Sequence, residues 1–219
     1  MNYLQELWAA LDFGSLRDIL LRLASVFLCL TTHETCHGLA AYALGGPTAK
    51  RMHRLSLNPL RHIDWMGLLM MVTLGFGWAK PVPVDPRYFR KPKQGMALTA
   101  LAGPVSNFVL ALLALLCARL VYHQYGALWD FIFDLLLTTA YLSVGLGLFN
   151  LIPISPLDGS KVLFVFLPDS AYEKLMRYEK YGMIALLILV WLGVGDNVLN
   201  TAIYNVYAAM INFVFRGIV

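Results

Sequence analysis

Charge is what this chain lacks most. Of its 219 residues only 14% are Asp, Glu, Lys or Arg, against 59% in the hydrophobic set. A soluble domain carries about a quarter charged residues, so that class is excluded, along with disorder. Cysteine is nearly as scarce. Cys29, Cys36 and Cys117 all lie inside apolar runs with no C-x-x-C pairing, which leaves no disulfide scaffold to read. A basic leader is missing too. The first charged side chain is Glu6, so no secretory signal peptide is expected. What remains is a set of long apolar runs, and runs of about 20 such residues mark an integral membrane protein.

The runs divide the chain. Residues 1–16 place Leu4, Leu7, Trp8 and Leu11 at helical spacing, too few to span, which reads as an interfacial segment. A first span is expected over Ile19–Leu44, closed by Gly45-Gly46-Pro47. Met96–Tyr122 and Trp129–Ile152 read as the second and third spans, and Tyr181–Val194 and Val198–Phe215 as a C-terminal pair. Between the first two spans, Trp65–Ala79 is apolar but short and interrupted by glycines, which suggests a re-entrant hairpin or β-like insertion protected by neighbouring protein. The expected fold is an all-α polytopic membrane protein of about five spans. It has a core over 17–167, with this insertion on its cytoplasmic side, and a helical hairpin over 168–219.

Orientation follows from the loops. Residues 46–95 hold nine Lys or Arg against Asp64 and Asp85, and such loops stay cytoplasmic. The cluster Lys174, Arg177 and Lys180 after the third span then falls on the same side.

The first span carries His33-Glu34-Thr35-Cys36-His37, which matches H-E-x-x-H. On a helix, residues i and i+4 share a face, so both imidazoles can reach one ion while Glu34 flanks it. That is the pattern of a zinc hydrolase with a carboxylate as general base. Without a metal, three polar side chains at membrane depth would cost several kcal/mol. A catalytic zinc wants a third protein ligand. Asp158 is the best candidate, at the end of the proline-broken stretch Pro153–Asp158, although an N-cap for a following helix would also explain it. Cys36 offers a soft ligand beside the ion or simply packs. His53 reads as a solvated loop residue and His62 as one that holds the loop.

Further motifs run in order along the chain: Asn58-Pro59-Leu60-x-His62-Ile63-Asp64, Gly77-Trp78-Ala79-Lys80-Pro81-Val82-Pro83-Val84, Gly103-Pro104-x-x-Asn107, and Asn150-Leu151-x-Pro153-x-x-Pro156-Leu157-Asp158-Gly159. Together with H-E-x-x-H they resemble the site-2 protease family of intramembrane zinc metalloproteases, in particular small bacterial members without PDZ or CBS domains. The resemblance implies one Zn2+ per chain on His33, His37 and Asp158, with Glu34 as base. It implies that Asn150 holds substrate backbone and that Asn107 lines the site. One departure is Thr35-Cys36, where the family usually has a hydrophobic residue and then glycine. Thr35 can bond back to a helix carbonyl.

Such an enzyme would hydrolyse peptide bonds within or near transmembrane segments. Its partners would be an unidentified transmembrane protein substrate and membrane lipid, with no nucleic acid. It would sit in a bacterial cell membrane with its site nearer the cytoplasm. At ~1.5 Å per residue His33 lies about 21 Å from Ile19 and about 16 Å from Leu44. A substrate helix has no free carbonyls and must unwind, and Trp65–Val84 could hold the extended segment by strand addition. A non-catalytic scaffold or chaperone should have lost Glu34 or a ligand. A metal transporter should spread ligands over several spans, whereas here they cluster on two segments. The orientation is checked by cysteine labelling: a cysteine at Arg90 should react from the cytoplasmic side and one at Asn197 from the outside, and the reverse pattern would invert the topology.

Overall fold

The computed structural model describes residues 16–67, 70, 79–172 and 178–217. Three of its helices are long and apolar enough to cross a membrane: α1 Leu16–Ala43, α3 Pro92–Val121 and α4 Ala127–Asn150. They match the expected first three spans with shifted ends. α3 begins four residues before Met96, because Pro92 suits the first helical turn, where its missing N–H costs nothing. Gly45 turns the chain out of α1 at φ 97°, a conformation that favours glycine. The interfacial segment expected over 1–16 lies outside the described residues save Leu16, which opens α1.

The bundle is held by small residues. On α3 the buried positions include Ala100, Gly103, Asn107, Ala111, Ala114 and Ala118, spaced three and four apart, with Leu115 among the few large ones. The opposite face exposes Leu98, Val105, Val109, Leu113, Leu116 and Leu120. This inversion is physical. Lipid tails are as apolar as leucine, so helices gain from close backbone approach and from polar cross-links instead. The links are present. Ser143 Oγ donates to the Asn107 carbonyl at 2.8 Å, and Thr139 Oγ1 donates to Ser25 Oγ at 2.9 Å. α3 packs against α4, α1 and the short helix α5, Asp158–Phe164.

The polar stretch after α1 is built from local caps. α2, Thr48–Arg51, is followed by a 3-10 turn at Pro59–Arg61 capped by Asn58, and Asp85 caps a second at Pro86–Tyr88. Hydrogen bonds from Arg87 hold the Asp85 carboxyl below the usual carboxylate range. The expected insertion at Trp65–Ala79 falls largely on residues 68–69 and 71–78, outside the described ones. Its entry is a helical turn at 65–67 in which Asp64 Oδ1 accepts from the N–H groups of Met66 and Gly67. Its neck is one antiparallel bridge between Ile63 and Ala79, and the described residues contain no named strand.

The C-terminal pair also forms helices, α6 Glu179–Trp191 and α7 Asp196–Val214. Among the described residues neither is both long and apolar enough to count with the other three. α6 has 13 residues, about 20 Å at ~1.5 Å each, short of a hydrocarbon core of about 30 Å. α7 puts Ile203 and Val214 into the apolar cluster of α3 and α4.

Candidate active site

Two imidazoles one helical turn apart on α1 meet a carboxylate from α5. His33 and His37 are buried, with their rings in a T arrangement, centroids 4.5 Å apart. His33 Nε2 and His37 Nε2 each lie 3.1 Å from Asp158 Oδ2. The prolines at 153 and 156 end α4 and redirect the chain, so that Asp158 becomes the first residue of α5. Leu157 occupies the N-cap position, so the cap role weighed for Asp158 is not what its side chain does. Gly159 permits the turn: a Cβ there would collide with the carbonyls of Leu151 and Ile152.

The second nitrogen of each ring is committed. His37 Nδ1 is 2.7 Å from the Thr99 carbonyl and His33 Nδ1 is 2.9 Å from Asn107 Oδ1. A carbonyl can only accept, so His37 Nδ1 carries the hydrogen. The same assignment for His33 makes Asn107 an acceptor. As neutral rings they would aim both Nε2 lone pairs at the carboxylate, and a cation held between the three groups would satisfy all of them. Two ligands on a tetrahedral zinc with bonds of about 2.0–2.1 Å stand about 3.3 Å apart, close to the 3.1 Å observed. These three residues could hold one metal ion, and the N, N, O donor set suits zinc.

α3 approaches the rings closely. A Cβ on Gly103 would collide with His37 and come within 2.6 Å of His33 Cε1. Asn107 is fully buried and meets the Nδ1 side of His33 with its side-chain oxygen. Its Nδ2 has no partner among the described residues.

Glu34 lines the same cavity as the two histidines, and its Oε2 accepts from the Val82 backbone N–H at 2.9 Å. Thr35 does not bond back to its own helix. Its hydroxyl donates to the Ser56 carbonyl at 2.9 Å, tying α1 to the polar stretch that follows it. His62 is buried at 2.7 Å from the Ser56 carbonyl, away from the cluster, and His53 is exposed. A cavity of about 430 Å³ opens over Glu34 and the cluster, lined also by Val82, Asn150, Lys161 and Tyr172. Asn150 Nδ2 donates to the Leu146 carbonyl at 3.0 Å, leaving part of its amide for other partners. Sequence reasoning missed the Thr99 carbonyl and the Val82 N–H, since main-chain donors and acceptors carry no residue signature. Gly103-Pro104 was visible as a motif but not as the ring contact.

The peptidase family M50 model matches residues 120–193. "Putative zinc metalloprotease YwhC" of Bacillus subtilis is 37% identical over 180 residues, covering 80% of this chain and 82% of that protein. The chain belongs to peptidase family M50. "Putative zinc metalloprotease Rip2" of Mycobacterium tuberculosis is 30% identical over 169 residues, and its Mycolicibacterium smegmatis counterpart is 27% identical over 177. These matches cover 75% and 78% of this chain but only 63% and 66% of the relatives, so the chain spans less than two thirds of the Rip2 proteins. No solved structure matches. The family resemblance is thereby established, and with it a membrane zinc metalloprotease.

Asn107→Ala tests the contact behind His33. Removing the acceptor frees the ring to rotate and should weaken zinc binding about 10–100-fold, measured by chelator competition on purified protein. Unchanged affinity would reduce Asn107 to a packing residue.

Proposed function

We propose that this M50 metalloprotease cuts peptide bonds within or near transmembrane segments of membrane proteins, at a site reached from the cytoplasmic side. One observation carries the reading: the His33–His37–Asp158 cluster and Glu34 lie inside a bundle of three membrane-length helices. His33 stands 17 residues into α1, counted from Leu16, which is about 25 Å at ~1.5 Å per residue. A protease acting only on soluble chains has no need to place its ligands so deep. The basic stretch 46–95 supports cytoplasmic access. Five spans, with α6 and α7 as the last two, remain the proposed topology, and the re-entrant insertion part of it.

In this reading His33, His37 and Asp158 hold one zinc, which supplies Lewis acidity to the scissile carbonyl and to water. Glu34 takes a proton from the attacking water and returns it to the leaving amine. The Val82 N–H holds one carboxylate oxygen, leaving the other for that transfer. Asn150, on the cavity wall, orients unwound substrate backbone with the donors and acceptor its amide has left.

Glu34→Gln should abolish cleavage and keep the zinc, whereas alanine at His33, His37 or Asp158 should empty the site. Metal analysis of the purified variants separates the two classes, and a full zinc equivalent in Asp158→Ala would remove that ligand. Comparing membrane proteomes of wild-type and Glu34→Gln cells should reveal a transmembrane protein that accumulates uncut; no such protein would argue against the reading.

Asn150→Ala distinguishes a substrate clamp from a helix terminator. Loss of buried bonds to substrate should cost about 1–3 kcal/mol, which is roughly 5- to 150-fold in rate, with zinc content and thermal stability kept. Normal turnover by a well-folded variant would take Asn150 out of the site.

A further inference from the structure

The segment that meets Glu34 is held by one side chain outside the site. Lys80-Pro81-Val82-Pro83-Val84 crosses the cavity mouth, and Val82 is buried, with a Cβ at Gly38 falling 3.2 Å from Val82 Cγ1. Prolines 81 and 83 have no N–H to anchor it. Two N–H groups that do are at Lys80, which donates to the His62 carbonyl at 2.9 Å, and at Val82, which donates to Glu34. Among the described residues, the other polar contacts of this stretch converge on Arg54. Its guanidinium donates to the carbonyls of Lys80 at 2.7 Å and Pro81 at 3.3 Å, and to that of Arg61 across the neck. The backbone N–H of Arg54 is tied to Ala49 of α2 at 2.9 Å, just after His53 turns the chain at φ 53°. Arg54 thus clasps both sides of the 62–80 neck to a fixed helix, one residue before the N–H that holds the carboxylate.

We propose that Arg54 is a positioning residue for proteolysis: by clasping Arg61, Lys80 and Pro81 it sets the Val82 N–H that orients Glu34. This rests on the protease reading of the same site. Arginine fits the task because its planar fork can serve several carbonyls at once, which lysine's single ammonium cannot do in the same geometry. A base displaced by a fraction of an ångström loses rate without losing substrate affinity.

The test uses the full purified chain in lipid, wild type against Arg54→Met and Arg54→Lys. The probe is a quenched-fluorescent peptide with one apolar span of about 20 residues broken by Asn-Gly. Arg54→Met should lower kcat about 10- to 100-fold with KM little changed and a full zinc equivalent kept. Arg54→Lys should fall between. Hydrogen exchange over residues 79–84 should speed up in Arg54→Met even when Glu34→Gln is present, a readout independent of turnover. Val82→Pro, which deletes the N–H itself, should lower kcat similarly and add little on top of Arg54→Met. Wild-type kcat and unchanged exchange in Arg54→Met overturn the proposal. So does loss of zinc or fold in both Arg54 variants, which makes Arg54 structural. If the wild type cleaves no probe, the protease reading is what suffers; faster exchange still supports the clasp, and unchanged exchange overturns it.

Discussion

Inside hydrocarbon no water satisfies a stray N–H, carbonyl or charge, so every polar atom must find its partner in the protein. The architecture follows from meeting that demand around one buried cluster. Helices satisfy their own backbones. Ser25, Thr139 and Ser143 bond across helices. The two imidazoles each spend one nitrogen on an acceptor from α3 and turn the other toward Asp158. Removing any member of that set would leave polar groups facing apolar surroundings, at a cost of several kcal/mol. The cluster and the bundle therefore stabilise one another.

Close approach is the means. The small-residue stripe on α3 brings its backbone against α1, and at Gly103 there is no room for a Cβ beside the imidazoles. The same economy of volume operates where Asp158 returns to the cluster, since Gly159 sits against the carbonyls of Leu151 and Ile152. Asn107 shows how much one position can do. Its side chain meets His33, while its backbone carbonyl accepts from Ser143 of α4. One residue of α3 thus connects both neighbouring spans.

Much of this was legible in the sequence, for physical reasons. Three apolar runs predicted α1, α3 and α4 because length and hydropathy are local properties. His33 and His37 were legible from helical spacing, and Asp158 from two prolines that had to break the helix before it. The convergence of a residue at 158 with residues at 33 and 37 is a long-range fact, and only the resemblance to a family fixed it in advance. Asn107 was expected to line the site from the second span, but its contact with His33 depends on how α3 packs against α1. The C-terminal pair was read as two further spans, and helices form at both places, α6 over 13 residues and α7 over 19, the latter carrying Asn200, Asn205 and Asn212. The contacts of Thr99, Val82 and Arg54 run through main-chain atoms, which any sequence would supply. Geometry alone selects them.

The supports of the site come from two parts of the fold. The proposed ligands are oriented from within the bundle, by Thr99 and Asn107 of α3. The proposed base is oriented from outside it, by a loop segment whose own anchors are Arg54 and His62. Loops with few buried contacts open at lower free energy than packed helices. In the proposed mechanism the metal site can therefore persist while the base loses and regains its position, so zinc retention and turnover need not rise and fall together. In the proposed mechanism a substrate unwinding in the cavity would meet the wall formed by Pro81, Val82 and Val84 as well as the ligands.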